Sequence, residues 1–316
     1  MRISAAIATG VGLGVALFAR SWLTLCLFLV FGGIANALGQ TGSNLLLVRA
    51  VRQGRQGFAF GLKQSALPVG SVIAGLTVPL IALTVGWRWA FVLAAAAAVA
   101  VGLAVPSSRD VRFQASTGAA NRARRRTPLV VIAVALFFAM CAASTLSAFT
   151  VDAAVTAGVS PANAGLLLTL GGMIAIATRL GAGMLADRRE GAHFAVVAKM
   201  LFAGAVGYLF LALANPWGFA VGTILAFGLG WGFNGLFWFA VVRFNQATPG
   251  KATGMVMPGG LFGGLIGPIV FGWTVEAATY PVAWVVAAVW AAIGGVLMLW
   301  GRRLLRADVA EAAEDG

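Results

Sequence analysis

The sequence predicts an all-α, polytopic membrane fold: a two-half helical bundle with about ten transmembrane helices, four and then six. Three observations carry this expectation. The 316 residues are 60% hydrophobic and only 10% charged, and a soluble domain of that size needs more charge on its surface. Runs of about 20 apolar residues recur, the length that crosses a bilayer core as a helix, and they are continuous rather than alternating, which argues against a β-barrel. The chain also repeats itself. An offset of 193 carries Gly14, Gly39, Gly42, Gly57, Gly61, Gly70 and Gly102 onto Gly207, Gly232, Gly235, Gly250, Gly254, Gly263 and Gly295. Seven of the fifteen glycines in the first 123 residues thus land on a glycine, and an internal repeat sets the architecture before any other feature.

Taken in order, the spans fall at 3–19, 21–46, 58–84, 87–105, 129–151, 162–184, 194–214, 217–241, 252–276 and 281–300. The first has the basic start of a signal peptide, but it pairs with a later span through the offset and is read as a membrane crossing. The offset matches spans one to four with spans seven to ten. Spans five and six have no upstream partner, so a six-plus-six protein is expected whose first two helices are absent from this sequence. An even number of helices between the copies makes the repeats parallel. The divisions that follow are an N-terminal half of four spans over 1–105 and a linker over 106–127. A C-terminal half of six spans over 128–306 and a cytoplasmic tail over 307–316 complete the chain. The acidic tail, ADVAEAAEDG, is expected to be disordered.

The net charge of +13 raises the question of nucleic acid. The positive residues lie in alternate loops rather than on one face, so nucleic acid is rejected as a partner. With the amino terminus in the cytoplasm, the inner segments carry Arg49, Arg52, Arg55, Arg109, Arg112, Arg122, Arg124, Arg125, Arg126, Arg188, Arg189, Arg243, Lys251, Arg302, Arg303 and Arg306. The outer segments carry Arg20 and Arg88. That asymmetry places both termini in the cytoplasm, and a bacterial inner membrane is the expected location. Trp87, Trp89 and Trp217 mark outer span ends, where an aromatic belt belongs.

Several chemistries are disfavoured. Cys26 and Cys141 sit in apolar spans and read as small buried hydrophobes, with no disulfide and no metal. His193, the single histidine, lies in a loop without ligand spacing. No paired midplane carboxylates suggest an enzyme. No phosphate-cradling G-x-x-x-x-G-K-[ST] loop suggests a primary pump. No cofactor is expected.

Polar residues inside apolar spans are the sharper signal, because each is costly unless it faces a cavity or a partner. Asn36, Gln40 and Asn44 recur every four residues on the second span and form one polar face, read as cavity-lining. Lys63 lies two turns into its span; it either snorkels to the cytoplasmic surface or faces a cavity beside Gln64. Arg179 precedes Asp187 by eight residues, about 12 Å along a helix, and so falls near mid-membrane. It either contacts substrate or pairs structurally with carbonyls or the following loop. Asn234 stands among Trp231, Phe233 and Trp238, where an amide either orients a small ligand or is packed by aromatics. Thr145 and Ser147 are weaker candidates. Asp152 and Glu276 lie near outer span ends, as gating contacts or as wetted groups. Pro68 and Pro268 remove helix hydrogen bonds and can kink their spans. Mid-membrane charge is therefore positive with no visible carboxylate partner, and a small organic or inorganic anion is the expected substrate. A coupling proton, a counter-solute and uniport all stay open.

Four stretches make the sequence resemble the major facilitator superfamily. They are NLLLVRAVRQGRQGFAFGLKQS, with Asn44, Arg49 and Arg55; the pattern Pro68, Gly70, Gly75 and Pro79; GMLADRREG at 183–191; and GGLFGGLIGP at 259–268. The third is similar to the family's G-x-x-x-D-R loop motif, one residue longer than its usual D-R-x-G ending. The resemblance covers the chain as the family's third to twelfth helices. It implies a secondary active transporter of a small solute, in which two halves rock around a midplane site. It also implies a cytoplasmic gate built from Arg49, Arg55, Asp187, Arg188 and Arg189. The residues expected to bind substrate are Asn36, Gln40, Asn44, Lys63, Gln64, Arg179, Asn234 and Trp238. The lipid bilayer and a small-molecule substrate are the expected partners, and a monomer is expected. The alternative is a non-transporting membrane protein, a sensor or remnant, favoured by the absent helices.

Overall fold

The computed structural model describes residues 2–77, 81, 84–105, 126–188, 191, 193–245 and 249–314. Most of the expected linker, 106–125, lies outside the described residues, as do Pro79 and Arg189. Among the described residues there is no strand. The helices are α1 (Arg2–Phe18), α2 (Trp22–Ala50), α3 (Gln56–Gln64), α4 (Ala66–Thr77), α5 (Arg88–Ala104) and α6 (Thr127–Thr156). They continue as α7 (Pro161–Arg188), α8 (His193–Leu211), α9 (Pro216–Leu225), α10 (Asn234–Phe244), α11 (Pro249–Ala277) and α12 (Tyr280–Glu314). Among the described residues seven helical segments are long and apolar enough to cross a membrane, and α1 and α5 are shorter apolar helices. The protein is a multi-pass, all-helical membrane protein.

Local chemistry accounts for the helix ends. Pro128 and Pro216 sit in the first turns of α6 and α9, where the missing N–H costs nothing. Asn215 caps α9 by accepting the Gly218 N–H at 2.8 Å. Gly191, with φ +86°, makes the left-handed turn between α7 and α8. His193, read as a loop residue, instead opens α8 and is buried edge-on against Phe239, ring centroids 4.9 Å apart.

The repeat is visible in the element boundaries. Shifted by 193, the first residues of α1, α2, α3 and α5 fall on 195, 215, 249 and 281. The first residues of α8, α9, α11 and α12 are 193, 216, 249 and 280.

Three stretches depart from the expectation, two of them interrupted spans. The expected span 58–84 is broken at Ser65 into α3 and α4, because Pro68 cannot donate its rung of the helical ladder. The span expected at 217–241 carries a π turn, Ala226–Trp231, between α9 and α10. Gly228, Gly230 and Gly232 cluster there, and glycine tolerates the widened backbone. The tail expected to be disordered is helical as far as Glu314; its alanines and glutamates are good helix formers.

The chain separates into two compact units, one of Met1–Ala50 with Ile73–Ala119, the other of Val51–Val72 with Ala120–Gly316. In the first, α1 packs on α2 and α5. A side chain at Gly12 would strike Ala95 of α5, and one at Gly14 would strike Phe28 of α2. Arg88 donates to the Ala19 carbonyl at 3.0 Å, tying α5 to the end of α1. In the second, α6 packs on α11 and α12, and α12 on α8. The α6–α11 seam is set by Gly259, Gly263 and Gly267, which press on the backbones of Ala133, Phe137 and Cys141. Without a hydrophobic drive between helices in lipid, such backbone-to-backbone contact supplies the packing energy.

The seam predicts an asymmetry between neighbouring glycines. A Cβ at Gly263 would strike the Phe137 carbonyl and come within 3.0 Å of Met140 Cβ, whereas one at Gly264 meets nothing within 4 Å. Gly263→Val is expected to cost about 1–3 kcal/mol by overpacking. Gly264→Ala is expected to be neutral or to gain about 0.5–1 kcal/mol of helix propensity. Thermal unfolding in detergent reads both.

Candidate functional site

Within the second unit, α7 runs antiparallel to α3 along a line of glycines. Gly183 lies on Gly57, and the Arg179 backbone lies on Gly61. Gly235 of α10 closes on the same place, its Cβ position 2.8 Å from Gly61 Cα. Three backbones therefore converge where any side chain at 57 or 61 would force them apart.

Arg179 is fully buried here, with 0% of its surface exposed. Its Nη1 donates to the Gln64 carbonyl at 2.5 Å and its Nη2 to the Trp231 carbonyl at 2.9 Å. The guanidinium carbon lies 5.0 Å from the centroid of the Trp231 ring, a cation–π contact. Both carbonyls are available for a reason written in the backbone. The usual donor to the Gln64 carbonyl is the N–H of residue 68, and Pro68 has none. Trp231 ends the π turn, where the hydrogen-bond ladder shifts register before α10. Arginine suits the task because its planar fork reaches two acceptors at once. Among the described residues no carboxylate bonds Arg179. Its Nε finds no hydrogen-bond partner, and neither does the buried Gln64 Oε1.

Asp187 stands at the other end of α3. Its Oδ1 accepts the Gly57 N–H at 2.7 Å and its Oδ2 the Phe58 N–H at 2.9 Å. Arg55, the residue at the N-cap of α3, makes no side-chain cap bond, so α7 supplies the cap instead. The signs match the helix dipole: a carboxylate at the amino end of α3, a guanidinium at its carboxyl end. Two charges of α7, Arg179 and Asp187, thus hold both ends of one nine-residue helix.

The structure places the other expected residues as follows. Lys63 is half-buried on α3 beside Gln64, which is 4% exposed. Asn234 and Trp238, 3% and 6% exposed, lie one turn apart on α10. Asn234 Nδ2 points at Met140 Sδ, 3.5 Å away, and Trp238 packs edge-on to Phe237 at 5.2 Å. Asn36 is exposed and Gln40 half-buried on α2, in the first unit. Asn44 and Arg49 are also on α2, with side chains outside the described residues. Arg55 is exposed in a 3₁₀ turn, Gln53–Arg55, and Arg188 is exposed at the end of α7. Thr145 is buried, donating to the Ala142 carbonyl at 2.7 Å, and Ser147 is exposed. Asp152 accepts a hydrogen bond from the Tyr280 hydroxyl, joining α6 to α12, and Glu276 is exposed. An apolar groove beside α7, lined by Asn163, Leu166, Leu170, Met173 and Pro216, contains none of these residues.

Sequence reasoning passed over Trp231 as a partner of Arg179, and over Gly57 and Phe58 as the groups Asp187 holds. The one available signal was Pro68, four residues after Gln64, which announces a carbonyl without its donor.

A multi-pass helical bundle built from internal repeats is the architecture of a class of solute carriers. The sequence profile of the Major Facilitator Superfamily matches residues 1–246. The chain belongs to that superfamily, a family of transporters rather than enzymes. Solved structures show the same fold at low identity. A variant of the E. coli fucose:proton symporter FucP aligns with a TM-score of 0.71 and 17% identity, over 95% of this chain and 82% of that one. The human organic anion transporter MFSD10 (TETRAN) aligns with a TM-score of 0.69 and 15% identity, over 96% and 76%. The proton:xylose symporter XylE, bound to 6-bromo-6-deoxy-D-glucose, aligns with a TM-score of 0.73 and 15% identity, over 94% and 78%. No curated protein sequence matches the chain.

The cap predicts a specific loss. Asp187→Ala leaves the Gly57 and Phe58 N–H groups without their acceptor and is expected to cost about 1–2 kcal/mol. Asp187→Asn, which keeps one acceptor oxygen but loses the charge, is expected to fall between. Thermal unfolding of the two variants in detergent gives the order.

Proposed function

We propose that this protein is a secondary active transporter of a small anion, working by alternating access in a bacterial inner membrane with both termini in the cytoplasm. The observation that carries the anion is Arg179. It is a guanidinium sealed from water, met by neutral carbonyls and a ring face, with its Nε unpartnered and no carboxylate bonded to it among the described residues. An unneutralised cation inside a membrane protein is costly, and a substrate anion would offset that cost. Lys63, half-buried one residue before Gln64, adds positive charge on the same helix. Gln64, Asn234 and Trp238 are the polar and aromatic groups proposed to orient the solute, with Asn36, Gln40 and Asn44 on α2 lining the path. Asp187, with Arg49, Arg55, Arg188 and Arg189, is proposed as the cytoplasmic gate; the Asp187 cap on α3 is a contact that opening must break. The solved structures with this fold include carriers named for fucose, xylose and organic anions, so the fold by itself is neutral about charge. The buried guanidinium is what favours an anion.

The test is uptake into proteoliposomes of radiolabelled acetate, benzoate and inorganic phosphate, beside fucose and xylose. Uptake of at least one anion and of neither sugar is expected. Arg179→Gln is expected to lower kcat/KM for that anion by about 10- to 100-fold, the worth of a charge-assisted hydrogen bond. Sugar uptake without anion uptake, or anion uptake unchanged in Arg179→Gln, overturns the reading.

A further inference from the structure

The geometry points to Pro68 as the residue that positions Arg179 and couples its charge to the backbone of α3 and α4; this inference rests on the anion reading above. Around Pro68 the helical ladder lacks the rung that residue 68 would donate. The Ser65 N–H reaches the Gly61 carbonyl at 3.0 Å, and the Val69 N–H reaches the Ser65 carbonyl at 3.0 Å. Between these two intact rungs lies the one from residue 68 to the Gln64 carbonyl, which proline cannot make. Arg179 Nη1 enters that gap at 2.5 Å. The guanidinium of α7 thus takes the place of an N–H missing from the neighbouring span.

Pro68 is itself buried, and its own carbonyl faces α7 at Gly172, whose Cβ position lies 3.6 Å away. The residue is therefore fixed against the helix that carries Arg179. The consequence is an exchange. A carboxylate or phosphate accepts from a guanidinium more strongly than a neutral carbonyl does. When such an anion claims Nη1, the Gln64 carbonyl loses its donor, and Pro68 guarantees that no helical N–H replaces it. The buried carbonyl must then find another donor, which requires α3 and α4 to move relative to α7. Binding energy is thereby converted into a bias between conformations. With an ordinary residue at 68, the anion could bind without disturbing the span.

Pro68→Ala restores the N–H and tests the coupling through a split that a merely structural proline would not produce. For the anion taken up by the wild type, acetate, benzoate or inorganic phosphate, Pro68→Ala is expected to tighten Kd about 3- to 10-fold and to slow turnover about tenfold. Pro68→Ser restores the same N–H and stands in where the alanine variant fails to fold. A second readout needs no ligand. In an Arg179→Gln background the Gln64 carbonyl is orphaned, so adding Pro68→Ala is expected to raise the melting temperature by about 2–4 °C. In the wild-type background the same substitution is expected to add less, because the carbonyl is already satisfied.

Tighter binding with slower turnover, together with that non-additive rescue, supports the inference. Binding left unchanged or weakened, or equal shifts in melting temperature in both backgrounds, overturns it while leaving the anion reading intact. A wild-type protein that binds none of acetate, benzoate and inorganic phosphate overturns both together.

Discussion

A charge that cannot reach water must be met by the protein. Arg179 is met by two backbone carbonyls and the face of Trp231. Those acceptors exist only because neighbouring helices are imperfect: one lacks an N–H at Pro68, the other widens through the π turn. The guanidinium also demands that the helices come close, and Gly57, Gly61, Gly183 and Gly235 make room. Position by position, the breaks in the helices and the smallness of their contact residues are the surroundings this one buried cation requires.

Asp187 completes the arrangement from eight residues further along α7. It caps the amino end of α3, and Arg179 meets the carbonyl at the carboxyl end. The spacing suits two antiparallel helices, since Gln64 lies seven positions after Gly57 on α3. Each charge opposes the partial charge of the helix end it faces. A nine-residue helix would be marginal alone; held at both ends, α3 is a strut whose position α7 dictates.

Much of the fold was legible because membrane helices announce themselves by length and apolarity, and because the glycine offset carries the starts of α3 and α5 to within a residue of those of α11 and α12. What escaped was local. The break at Ser65 depends on one absent N–H, and the π turn on a cluster of glycines that also reads as ordinary close packing. At the site, Arg179 was identifiable as a costly mid-span charge, with carbonyl pairing already one of its two readings. Its acceptors were not identifiable, because Gln64 and Trp231 lie 115 and 52 residues away in the chain and offer backbone atoms that every residue possesses. Asp187 stood out through its loop motif, while the N–H groups it holds carry no sequence signature.

The helices also differ greatly in length. With 17 residues, α5 spans about 26 Å, whereas the 30 residues of α6 span about 45 Å. A hydrocarbon layer about 30 Å thick takes helices of about 17 to 25 residues, so α5 is at the short end of that range and α6 exceeds it. The excess length of α6 is taken up by tilt or by projection into the headgroups, while α5 leaves little room for tilt. Helices of such unequal length within one chain make bilayer thickness a mechanical load on the protein, and acyl-chain length is expected to shift the balance among its conformations.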